Sequence, residues 1–335
     1  MPRAGPGRVL CCQTERLITT AQAANAEEQR EEEFEERTTP FRTNAFLIID
    51  KMMELNGSCA NRTIQLVDEI LHSIFFLGRI SLPPISPEDI VNDDEMYNEL
   101  KNTYPLPFEL YSSQLPRRSP FSCVLDMIVF LKGRENENEI KQKLQEIIRE
   151  LGLDKGAPLV SSTICISQKN PSSARYYGVS MSTSSKVSRK IMIAASCLPG
   201  SWDSYVAGAV MTFNQNMSKK PYFDGTIKLP QPVTCQAFSL HGGGAPMDPC
   251  KSCVELFGLG GHDTKRFPYG NCAEVESVSD LFKNDTGVKE QARPTSELCT
   301  PANRSMAEKS VRDDLKVLLK TFKFPCDYHF YIPSA

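Results

Sequence analysis

Long apolar runs are missing from this chain. Crossing a bilayer takes about 18–20 consecutive apolar residues. The two longest candidates, 70–77 and 124–131, are broken by His72 and Ser73 and by Asp126. No membrane contact is expected. The opening residues Met1, Pro2, Arg3, Gly5, Pro6 and Gly7 offer no apolar stretch for a signal peptide, and Pro2 stands where N-myristoylation needs glycine. An excess of one charge is missing too. With 38 basic and 41 acidic residues the formal charge is −3. Such a chain has no global field for nucleic acid, so any such contact would need a local basic strip. Phosphate-binding loops are absent: Gly258, Leu259, Gly260 and Gly261 lack the required spacing. No internal repeat is found. These absences predict a cytoplasmic or nuclear protein.

What is present is an ordinary globular balance, 40% hydrophobic and 24% charged over 335 residues, enough for about two domains. Twelve cysteines are conspicuous. In a reducing compartment they stay thiols. Cys123, Cys165, Cys197 and Cys235 lie in apolar stretches and read as small buried hydrophobes.

Residues 1–40 read as a disordered or partly helical acidic tail. Glu27, Glu28, Glu31, Glu32, Glu33, Glu35 and Glu36 crowd there, with Phe34 alone among them. Residues 41–155 read as a helical region able to meet protein partners. Thr43 is expected to cap a helix ending at Asn56 and Gly57, and helices are expected over 61–77, 121–132 and 139–151. Pro83, Pro84 and Pro87 open a connector that runs to Pro120. Residues 156–335 read as an α/β domain. Strands are expected over 159–167, 176–183, 191–197, 233–240 and 328–332. Helices are expected over 202–213 and 305–322. The fold class is thus α+β or α/β: a mixed sheet with helices packed on it, behind a helical N-terminal region.

The informative stretch is 240–282. Pro249, Cys250, Lys251, Ser252 and Cys253 form a Pro-Cys-x-x-Cys motif, and Cys272, Ala273 and Glu274 follow. A Cys-x-x-Cys opening a helix puts two sulfurs beside free N–H groups, which lower thiol pKa and favour metal ligation. Cys272, also at an expected helix start, supplies a third thiolate. Three protein ligands leave zinc an open fourth position. Glu274, two residues beyond Cys272, is placed for proton transfer.

These two half-motifs resemble those of the zinc-dependent nucleoside and nucleic-acid deaminases, the superfamily that includes cytidine deaminases. The resemblance implies that Cys250, Cys253 and Cys272 hold Zn²⁺ and that Glu274 moves protons. The activity it implies is hydrolytic deamination of a nucleobase, nucleoside or single-stranded nucleic acid. It covers at most the last half of the chain. The order departs from the family, in which Cys-Ala-Glu precedes Pro-Cys-x-x-Cys. An alternative uses the same thiols. With His262 they form a closed Cys₃His set, a structural zinc site in a non-catalytic interaction protein.

Other signals are weaker. His241 and Gly242–Gly244 look like an esterase oxyanion loop, but no Gly-x-Ser-x-Gly accompanies them, so a flexible loop is expected. His72 and His329 read as packed core or edge histidines. Arg175, Tyr176, Tyr177, Lys186, Arg189 and Lys190 mix cations with aromatics and suggest a solvated face or a strip for a single strand.

Overall fold

The computed structural model describes residues 33–58, 63–154, 156–198, 200–261, 263–325 and 327–334. Most of the acidic tail therefore lies outside the described residues. The chain divides between Pro40 and Phe41. Residues 33–40 are helical, with the Thr38 hydroxyl donating to the Phe34 carbonyl at 2.8 Å. Residues 41–57 form helix α1, and Thr43 lies inside it and not at the N-cap position expected of it. Its apolar stripe begins earlier than Phe46: Phe41, Ala45, Ile48, Ile49, Met52 and Leu55 are all buried.

The helical region then builds up around α2, Ile64–Arg79, which is buried along most of its length from Val67 to Gly78. The proline-rich connector is not irregular. It holds α3 (Pro87–Ile90), α4 (Asp94–Thr103) and α5 (Pro105–Leu110). Pro87 and Pro105 sit in first turns, where the missing N–H costs no helical bond. Ser86 and Asp89 cap α3 reciprocally, and the Asp93 carboxylate accepts from the Met96 N–H at 2.7 Å. A short strand β1 (Gln114–Leu115) follows, then α6 (Pro120–Lys132) and α7 (Glu137–Glu150), both where the sequence placed helices.

The second half carries an antiparallel sheet. β2 (Thr163–Gln168) and β3 (Arg175–Val179), where two strands are expected, pair as an antiparallel hairpin with Ile166 opposite Tyr177. β4 (Thr234–Ser239) and β5 (Pro246–Met247) complete the order β3-β2-β4-β5. The strand expected over 191–197 is a helix instead: α8, Lys186–Cys197. Ser185 and Ser188 cap it reciprocally, and the apolar run that resembles a buried strand is its core-facing side. α9 (Ser204–Met211), α10 (Lys251–Phe257), α11 (Ala273–Asn284), α12 (Thr286–Gln291) and α13 (Pro301–Lys320) follow. A last strand, β6 (His329–Phe330), leaves this sheet and pairs in parallel with β1. The fold is mixed α+β, with two small sheets among helices.

Two cores hold it. The larger joins α1–α7 to residues of β2, β3, α8 and the end of α13. The smaller gathers α9, α10, α11 and the start of α13. Between sheet and α11 the approach is very close. A Cβ on Gly178 of β3 would stand 2.3 Å from the Ser277 nitrogen and 2.5 Å from the Ala273 carbonyl oxygen. Only glycine lets the first turns of α11 lie flat on β3, and that contact sets where Cys272 and Glu274 stand.

Candidate metal centre

Cys250 is the N-cap of α10 and Cys253 lies one turn into it, so both sulfurs face the same end of that helix. Cys272 is the N-cap of α11. Twenty-two positions separate the first from the last, and a set of specific contacts folds that interval back. The Lys251 N–H donates to the Lys265 carbonyl at 2.9 Å, and the Ser252 hydroxyl donates to the Phe267 carbonyl at 2.5 Å. The Arg266 guanidinium and the Tyr269 hydroxyl both donate to the Glu255 carboxylate of α10. The Tyr269 ring stacks on Phe213 at 3.6 Å. Gly270, at φ +94°, then makes the turn, and a Cβ there would come within 2.7 Å of the Ile193 side chain. Finally the Asn271 carbonyl accepts from the Met181 N–H at 2.8 Å, which ties the segment to the strand end beyond β3.

The three sulfurs converge. Cys250 Sγ lies 3.7 Å from Cys253 Sγ and 3.5 Å from Cys272 Sγ, and all three ligand atoms fall within 4.8 Å of one another. Three sulfurs each about 2.3 Å from one tetrahedral ion would sit about 3.5–4 Å apart, so the donor set fits a borderline or soft metal ion. Cys250 and Cys253 are buried and Cys272 is partly exposed. Hydrogen bonding with the Cys253 and Cys272 thiols, helped by the free N–H groups of the first turn of α10, holds Cys250 far below the usual thiol range. The same bonds, with burial, push Cys253 and Cys272 up.

Glu274 is 4% exposed on the first turn of α11. Burial raises its pKa, its own backbone N–H and the Cys253 thiol pull the other way, and the Cys250 charge adds to the rise. The carboxylate is thus a neighbour of the Cys253 thiol, outside the trio of mutually close sulfurs. Beneath it, Cys165 of β2 lies 3.5 Å from Cys235 of β4, sulfur to sulfur. His262, the fourth donor of the closed alternative, lies outside the described residues.

Compared with protein-family models, curated proteins and solved structures, the chain matches none. The chemistry of the site therefore rests on its own atoms.

The remaining sequence candidates are dispersed. Arg175 pairs with Glu137 at 3.1 Å, the Tyr177 hydroxyl donates to the Arg134 carbonyl, and the Arg134 guanidinium covers the Tyr176 ring. The β3 half of the cationic strip is thus engaged with the start of α7, while Lys186, Arg189 and Lys190 stand on α8. His72 is fully buried and stacked on Tyr331 at 3.7 Å, whereas His329 is exposed on β6. Gly242–Gly244 all have positive φ, as a tight turn requires. Of the four apolar-stretch cysteines, Cys123, Cys165 and Cys197 are buried and Cys235 is half-buried. One group escaped sequence reasoning. Glu276 accepts from the Val179 N–H at 2.8 Å, and burial raises its carboxyl to about 7. Nothing in the spacing of Glu274 and Glu276 marks the second as the one under β3. Among the described residues no helix is long and apolar enough to cross a membrane.

Proposed function

We propose that Cys250, Cys253 and Cys272 hold a zinc ion and that the site is that of a hydrolytic deaminase acting on a nucleobase, free or in a nucleoside or single-stranded nucleic acid. The observation that carries this reading is the meeting of three thiols from two helix N-termini, with the buried Glu274 carboxylate neighbouring the Cys253 thiol. Three protein sulfurs leave a fourth position open. A bound zinc ion would supply Lewis-acid activation of water there. The chain's own part is proton traffic. As the water oxygen bonds to the amidine carbon, Glu274 takes the proton released and hands it to the departing amine, so that the C–N bond breaks and ammonia leaves. The reversed order of the two half-motifs does not bear on this chemistry, which depends on where the side chains meet and not on chain order.

The burial of Cys250, Cys253 and Glu274 favours a second reading, a closed structural zinc site completed by His262 in an interaction protein. The two readings make opposite demands. Zinc content and ammonia release are measured on the full chain with cytidine, deoxycytidine, adenosine and short single-stranded oligonucleotides. The catalytic reading expects about one zinc per chain, and Glu274→Gln to keep the zinc while slowing ammonia release by about 10²-fold or more. A Glu274→Gln protein as active as the parent sinks it, as does no ammonia from any of these probes. Loss of zinc in His262→Ala establishes the structural alternative.

A further inference from the structure

A cavity of about 320 Å³ opens between α8, α9, the loop after α9 and α13. That is within the range of small-molecule sites. None of Cys250, Cys253, Cys272 or Glu274 lines it, so it is not the metal centre. α8 gives it one continuous face at helical spacing: Lys186, Arg189 and Lys190, then Ile193, Ala194 and Cys197. The face changes character along the helix. Lys186 is exposed and Arg189 and Lys190 are half-buried, whereas Ala194 and Cys197 are buried, as are Val210 and Met211 across the cavity. One end is cationic and the other apolar.

Charge at the cationic end is unbalanced. Among the described residues, the side chains of Lys186, Arg189 and Lys190 have no acidic partner, and the Arg189 Nε is a buried donor with no acceptor. With Lys220 the lining holds four cations against one carboxylate, Asp314. The Lys220 ammonium is already committed to the Met211 and Phe213 carbonyls, at 2.6 and 3.3 Å. The net demand for an anion therefore falls on the α8 cations. At the far end Ala194, Cys197, Val210 and Met211 present a mainly apolar wall, beside which the Lys220 ammonium is held on backbone carbonyls. The Tyr269 hydroxyl is taken up by Glu255, and its ring lies on Phe213.

We propose that this cavity binds an aliphatic carboxylate, with the chain among Ala194, Cys197 and Met211 and the carboxylate on Arg189 and Lys190. The site is independent of the metal centre and of the reaction proposed there. Isothermal titration of the full chain with decanoate tests it, beside decanol and adenosine monophosphate. Saturable binding of decanoate is expected, with decanol much weaker and the nucleotide not bound. Arg189→Gln, a half-exposed position where the fold should survive, is expected to weaken decanoate by at least about tenfold, the worth of a charge-assisted hydrogen bond. Ala194→Phe, which fills the apolar end, is expected to abolish binding. Circular dichroism checks its fold, and should it misfold, the Arg189→Gln and decanol comparisons decide. No binding of decanoate at millimolar concentration overturns the proposal. So does equal affinity for decanol, an unchanged affinity in Arg189→Gln, or nucleotide binding that displaces decanoate.

Discussion

His72 shows how a single residue's burial becomes a property of the whole protein. Its ring lies flat on Tyr331, and neither ring nitrogen meets a partner at good hydrogen-bond geometry. Burial drives its pKa down to about 3, with only a weak pull from the Leu110 backbone in the other direction. The folded protein therefore keeps this imidazole neutral. The unfolded chain, with an ordinary value of 6.5, takes up a proton as the pH falls. Above pH 6.5 proton uptake takes nothing from stability, and between 6.5 and 3 it drains stability by about 1.4 kcal/mol per pH unit at most. Phenylalanine preserves the stack and leaves no polar atom behind, so His72→Phe is expected to change stability little at pH 7 and to flatten the acid limb. Urea midpoints at pH 7, 6, 5 and 4 check this, and parallel curves for the two proteins would refute it. The sequence marked His72 as a core residue because of its apolar neighbours. It could not mark the stack, since Tyr331 lies 259 positions away and only the return of β6 to β1 brings it there.

At the scale of elements, what a sequence reveals depends on how local the cause is. The helices over 120–132 and 137–150 and the hairpin of β2 and β3 follow from periodicity and turn residues within a few positions, and they stand where expected. The starts of α10 and α11 were legible for the same reason, and with them the three candidate thiols. α8 was not. Ile191, Met192, Ile193, Ala194 and Ala195 form a short apolar run that suits a buried strand or a buried helix equally, and the arbiter is the cap before it. Ser185 accepts from the Ser188 N–H at 3.1 Å, while the Ser188 hydroxyl accepts from the Ser185 N–H at 2.8 Å. Ser185→Ala removes one arm of that exchange and is expected to cost about 0.5–2 kcal/mol, read as a lowered denaturant midpoint with an unchanged slope. No change in midpoint would mean that packing alone fixes the helix. The clamp that brings Cys272 back to α10 was also hidden, because Glu255, Arg266 and Tyr269 belong to no recurring pattern and act only once the loop is closed.

Across the whole molecule, the candidate metal centre belongs to one core and not to the other. Cys250 and Cys253 pack among α9, α10 and α11, whereas α2, α6 and α7 are buried in the larger core with no thiol of the cluster. α13 spans both: Ala307 near its start is in the smaller core, and Leu315 and Leu319 near its end are in the larger. If an ion binds the three sulfurs, its binding energy is spent on joining the N-termini of α10 and α11, which its removal no longer holds together. The loss should therefore be local before it is global. Chelation of the metal-loaded protein is expected to speed amide hydrogen exchange in α10, in α11 and in the first half of α13. Amides of α2, α6, α7 and the second half of α13 are expected to keep their protection. The gradient along one helix is the decisive reading, because a general destabilisation would raise exchange along α13 evenly. Even exchange would mean that the two cores unfold as one unit, and that the ion, where bound, supports the entire fold and not the smaller core alone.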